Sequence, residues 1–190
     1  NQYEPLRSKG PVPKDFSHTT LTKIKEDKQE DLKSLSSKKK QFFVEQLHYS
    51  IDEILHSEVC VFGDPVSDYV RDIAKNLLQD DPELFRQLRF YTLKSNETNA
   101  FSTDQGIIFV TTGLISQVST EAQIAYVLAH EISHYKRKHV LERFEVATAA
   151  GTRDLMLYKH LAPHNVSYEQ KQYRYLPTFQ PLFQHDPDKV

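Results

Sequence analysis

The stretch His130-Glu131-Ile132-Ser133-His134 limits what this chain can be more than any other part of it. It closes the apolar run Ile124-Ala125-Tyr126-Val127-Leu128-Ala129, which begins just after Ser119-Thr120-Glu121. A hydroxyl residue, an acid and then an apolar run read as the N-cap and body of a helix, and no proline or glycine falls between Ser119 and Val140. On a helix the two histidines project from one face a turn apart, so their ring nitrogens can converge on a single ion. Glu131 is the next residue round, placed to reach a water on that ion rather than the ion itself. Two imidazoles and a carboxylate in this pattern supply the ligand pair and general base of a zinc hydrolase. The plainer reading is a helix whose two histidines and glutamate are solvated or bonded within the core. Burying such groups unpaired is costly, which favours a metal.

Composition bounds the rest. At 190 residues the chain fits one domain with an N-terminal extension and is long enough to bury a core. The 24 basic and 26 acidic residues leave a net charge of -2, which suggests neither a nucleic-acid partner nor an acidic membrane surface. A single cysteine, Cys60, excludes an internal disulfide and reads as a buried small hydrophobe. No run of about twenty apolar residues occurs, so the segment as given has no membrane span, and membrane association stays open.

Residues 1–40 are polar and read as an N-terminal extension, an extended leader from Tyr3 to Phe16 followed by a charged segment, either helical or disordered, ending in Lys38-Lys39-Lys40. From Gln41 the spacing of Phe43, Leu47, Ile51, Ile54 and Leu55 predicts an amphipathic helix ending near Ser57, with His48 and His56 on its surface. Asp64-Pro65 predicts a helix start, followed by the stripe Val66, Tyr69, Val70, Ile73, Ala74, Leu77 and Leu78. A short helical turn is expected over Pro82 to Leu88. Strands are expected at Leu88 to Leu93 and, more strongly, at Gly106 to Thr112, neighbours in a small sheet with a turn at Lys94 to Asn99. The motif helix is expected to continue towards Phe144. If it is unbroken, His139 lies about 140° round from His134, which sets it aside as a ligand. Residues 41–162 form the expected domain, and 163–190 an irregular tail rich in proline and aromatic residues. The fold class is α+β, mainly helical, with a small sheet beside the motif helix.

Asn99-Ala100-Phe101, then Thr111-Thr112-Gly113-Leu114-Ile115, then Leu128-Ala129-His130-Glu131-Ile132-Ser133-His134 through His139 resemble, in order and spacing, the zinc metallopeptidases of peptidase family forty-eight. These are gluzincins, a group that includes HtpX-type, BepA-type and Oma-type envelope and organelle proteases. The resemblance covers roughly Val59 to Arg143 and implies a zincin-like domain. It implies that His130 and His134 hold zinc, and that Glu131 takes a proton from the attacking water and passes it to the leaving amine. It also implies that the strand Gly106 to Thr112, with Ile108 and Val110, is the edge beside which an extended peptide lies, Asn99 and Ala100 lining the same cleft.

One departure stands out. Gluzincins complete the zinc site with a glutamate on a later helix, usually in an acidic stretch followed by Ala-Asp, and that stretch does not occur here. Glu169 is the weak third-ligand candidate within the chain, and the simpler expectation is a ligand beyond Val190. The expected function is a zinc-dependent endopeptidase acting on unfolded or envelope- or membrane-associated polypeptides in a bacterial periplasm or cell envelope. The alternative is a zincin-fold module that binds clients or assembly partners with little or no hydrolysis.

Overall fold

The computed structural model describes residues 4–26 and 37–138. His139, Glu169 and the tail from residue 163 lie outside the described residues. In chain order the elements are α1 (Lys14–Ser17), α2 (Thr20–Glu26), α3 (Ser37–Leu55), β1 (Cys60–Val61), α4 (Pro65–Leu77), α5 (Pro82–Gln87), β2 (Arg89–Leu93), β3 (Ala100–Ser102), β4 (Ile107–Thr111), α6 (Thr112–Gln117) and α7 (Glu121–Lys136). The fold is α+β and mainly helical, with a small sheet beside the motif helix α7.

The sheet has the order β1-β2-β4-β3. β2 and β4 run parallel, with Phe90 opposite Ile108 and Thr92 opposite Val110, while β1 and β3 are antiparallel additions at the two sides. Side chains alternate across it. Tyr91, Leu93, Ile107 and Phe109 meet Phe43, Val44, Leu47, Ile51, Ile54 and Leu55 of α3 on one face. Phe90, Ala100, Ile108 and Val110 meet α4 and the inner side of α7 on the other. Burial on both faces is why β4 is apolar from Ile107 to Val110 rather than alternating.

Each helix start has a local cause. The Asp64 carboxylate accepts from the backbone N–H groups of Val66 and Ser67 and from the Thr92 hydroxyl, and Pro65 occupies the first helical position. Asp64 is wholly buried, so these bonds also tie α4 to β2. Asp81 caps α5 in the same way, through Leu84 N–H. The leader packs on the α3 side of the sheet: the Phe16 ring lies 4.7 Å from Phe62 and 5.0 Å from Tyr91, and α3 runs across the boundary expected at residue 40.

Five features differ from the sequence expectations. β4 is not the sheet edge; β3, a strand of three residues directly after the turn expected at Lys94 to Asn99, covers it. Thr112 begins a short helix, α6, rather than ending the strand. α7 stops at Lys136, and Lys138 has φ 54°, a left-handed conformation, so the unbroken helix assumed in setting His139 aside does not exist. His48 is buried on the core side of α3 rather than lying on its surface, and Tyr69 and Leu77 of the α4 stripe are exposed.

Candidate metal centre

α7 begins with a reciprocal cap: the Thr120 hydroxyl accepts from the Gln123 N–H, and the Gln123 side chain accepts from the Thr120 N–H. From that start the 3.6-residue repeat turns Ile124, Val127, Leu128, Glu131, Ile132 and Tyr135 inward and leaves His130 exposed with His134 half-buried. The helix end is pinned to its surroundings. The Tyr135 hydroxyl donates to Gln87 Oε1 at 2.8 Å, and the Lys138 ammonium lies over the Tyr135 ring and donates to the Asp104 carbonyl at 2.9 Å. These contacts hold the last two turns, which carry the motif, against the loop between β3 and β4 and the end of α5.

His130 Nε2 and His134 Nε2 face each other at 2.9 Å, with the rings nearly perpendicular at 79°. A carboxylate oxygen of Glu131 joins them, the three ligand atoms all lying within 4.8 Å of one another. Two imidazole nitrogens aimed at one point suit a cation. A tetrahedral zinc with bonds of about 2.0–2.1 Å would set two such nitrogens about 3.3 Å apart, a few tenths wider than seen. The position near the C-terminal end of α7 favours positive charge as well, because the helix carbonyls point there. The residues present therefore fit a zinc ion, and among the described residues no other His, Cys, Asp or Glu joins the group. Glu131 is only 4% exposed, and its Oε2 accepts from the Ser102 hydroxyl at 3.3 Å.

Ser102 belongs to β3, the strand beside α7. The bonds from Thr111 N–H to the Asn99 carbonyl and from Thr103 N–H to the Ile107 carbonyl set the hydrogen-bonded pairs of the β3–β4 ladder. By the alternation of an antiparallel ladder, the backbone groups of Ala100 and Ser102 then point away from β4, to the side on which no further strand pairs among the described residues. Asn99 spends its backbone on Thr111, and Ala100 buries its methyl towards α7. Ile108 and Val110, expected on the edge, are instead 0% and 2% exposed between β2 and β3, where no peptide can lie beside them.

The Thr111-Thr112-Gly113 segment fixes the approach to β3. Thr112 Oγ1 donates to the Ser95 carbonyl and accepts from the Ser95 N–H, at 2.8 and 3.1 Å. Thr111 Oγ1 accepts from the N–H groups of Asn99 and Leu114 and places its one proton between the carbonyls of Glu97 and Asn99. Gly113 lets the turn close down: a Cβ there would sit 2.2 Å from the Glu97 carbonyl oxygen. The part played by Ser102 and these threonines was missed from sequence, because Ala100-Phe101-Ser102 is too short and shows no apolar–polar alternation to mark a strand.

The same part of the chain is similar to known proteins. The model of peptidase family M48 matches residues 66–184. The putative beta-barrel assembly-enhancing protease of Vibrio cholerae is 26% identical over 93 residues, 48% of this chain and 19% of that protein. A protease HtpX homolog of Acidiphilium cryptum is 39% identical over 67 residues, 33% of this chain and 23% of that protein. The mitochondrial metalloendopeptidase OMA1 of Arabidopsis thaliana is 33% identical over 69 residues, 36% of this chain and 14% of that protein. The chain spans about a fifth of the length of the curated relatives it matches.

Proposed function

The chain belongs to peptidase family M48, and from that membership we propose that it is the catalytic segment of a zinc-dependent endopeptidase that cleaves unfolded or envelope-associated polypeptides. The observation that carries this reading is the convergence of His130 and His134 beside a buried Glu131, next to a strand, β3, that lies at the sheet edge among the described residues. His130 and His134 hold the metal. Bound zinc supplies Lewis acidity towards the scissile carbonyl and a more acidic water. Glu131 takes a proton from the attacking water as it adds to the carbonyl carbon, then gives it to the amine nitrogen as the C–N bond breaks. An extended substrate adds to β3 as a further strand, through the outward N–H and C=O groups of Ala100 and Ser102. Asn99 shapes the start of that edge. The third protein ligand comes from outside the described residues, where Glu169 is a candidate.

The substrate class rests on the names of two relatives, beta-barrel assembly-enhancing proteases of Vibrio cholerae and Escherichia coli, and the same names support a periplasmic or envelope location. Among the described residues no helix is long and apolar enough to cross a membrane.

The test is Glu131→Gln in the full-length protein, with zinc content measured beside cleavage of a denatured protein. The substitution is expected to keep zinc and lower cleavage by roughly a hundredfold or more. A zinc-loaded variant that cleaves at the wild-type rate would sink the reading. Wild type that binds zinc and clients without cleaving them would favour the client-binding module instead.

A further inference from the structure

We propose that Ser102 is a positioning residue for Glu131, its hydroxyl fixing the rotation of the carboxylate that handles the proton; this rests on the peptidase reading above. The helix fixes where the Glu131 side chain starts, but the last torsion of a glutamate is broad and sets no carboxylate orientation by itself. A donor must do so. Ser102 Oγ donates to Glu131 Oε2, and both side chains are buried, at 7% and 4% exposure. The separation of 3.3 Å is long for an O–H···O bond, as catalytic hydrogen bonds often are before substrate is bound.

Register makes the contact specific. Ala100 and Ser102 share the face of β3 that packs on α7, and only Ser102 carries a donor there. The same residue turns its backbone N–H and C=O to the open edge. Ser102 thus joins the strand on which a peptide would lie to the base that would act on it. A peptide drawn onto that edge and the Glu131 carboxylate are held by one short segment, so their separation varies little. Positional errors of about 1 Å in such arrangements cost up to a hundredfold in rate.

The experiment compares Ser102→Ala, Ser102→Thr and Glu131→Gln in the full-length protein. Ser102→Ala is expected to lower kcat on an internally quenched peptide roughly tenfold, with KM and zinc content within about twofold of wild type. Ser102→Thr, which keeps the hydroxyl, should restore most of that loss. A readout that needs no turnover is a double-mutant cycle on urea unfolding of the metal-free protein, where Ser102→Ala and Glu131→Ala, which removes the acceptor that a glutamine would keep, should be non-additive because the two groups touch. Additive unfolding, an unchanged kcat in Ser102→Ala, or equal losses in the Ala and Thr variants together with lost zinc would each overturn the proposal. If Glu131→Gln abolishes cleavage while Ser102→Ala keeps full kcat, only the positioning role falls. If Glu131→Gln cleaves normally, the peptidase reading falls and the positioning role with it.

Discussion

At the scale of single residues, the buried Cys60 of β1 shows how the fold sets chemistry far from the metal centre. Burial first, then the nearby Asp64 carboxylate, push its thiol up from 9.0 to about 12, against a small opposing effect of Lys94. Tyr91 moves the same way, because it is buried and its hydroxyl donates to Asp15. The folded protein keeps the Cys60 proton where the unfolded chain loses it, so unfolding releases protons above pH 9. Stability from this group is therefore complete below about pH 9 and declines as the pH rises towards 12, by at most about 1.4 kcal/mol per pH unit. Urea midpoints measured from pH 8 to pH 10.5 should fall more steeply for wild type than for Cys60→Ala. Parallel curves would show that the thiol is not linked to folding. A thiol held protonated also makes a poor nucleophile, so alkylation of the native protein should be slow at pH 8.

At the scale of elements, the edge strand β3 depends on the turn before it, and that turn depends on Gly113. Its missing side chain leaves room for the carbonyl oxygens of Asn96 and Glu97, which would lie 2.4 and 2.2 Å from a Cβ. Both are backbone atoms and cannot swing aside. Gly113→Ala is expected to lower stability by about 2 kcal/mol through this overlap, whereas Gln117→Ala, exposed on the same short helix, should be near neutral. Urea unfolding of the two variants separates them, and equal midpoints would mean that the turn relaxes freely. The contrast explains what the sequence could reveal. α4 and α7 were legible because caps and apolar spacing are local, and the convergence of His130, Glu131 and His134 follows from helix geometry alone. β3 was hidden because three residues carry almost no periodicity. The unbroken apolar run of β4 signals burial on both faces, which argues against an edge. The end of α7 gave no warning, since the left-handed residue there is Lys138 rather than the usual glycine. Ser102 and Glu131 meet across 29 positions of sequence, a contact that only the paired sheet creates.

At the scale of the whole molecule, the sheet divides two tasks. The face towards α4 and α7 carries the histidine pair and Glu131, while the opposite face is closed by α3 and the N-terminal leader. The leader is not merely polar chain. Lys9 N–H donates to the Phe62 carbonyl, Phe16 fills an aromatic cluster with Phe62 and Tyr91, and Lys23 pairs with Asp52 of α3. Its central tie is Asp15, whose Oδ2 accepts from Arg89 Nε and from the Tyr91 hydroxyl, each at 2.6 Å. The Arg89 side chain is 37% exposed, so water screens that pair and it contributes little. The Tyr91 hydroxyl is more enclosed, and losing its acceptor carries most of the cost. Asp15→Ala is expected to lower stability by about 1–2 kcal/mol, read as a lower urea midpoint, with the leader becoming more sensitive to protease. Because Asp15 acts on the face away from the histidines, zinc content and kcat measured well below the unfolding transition should stay within about twofold of wild type, as expected for distant sites that share no partner. Zinc lost in step with stability would instead mean that the leader, acting through β2 and β4, sets the position of β3 and thereby the geometry around Glu131.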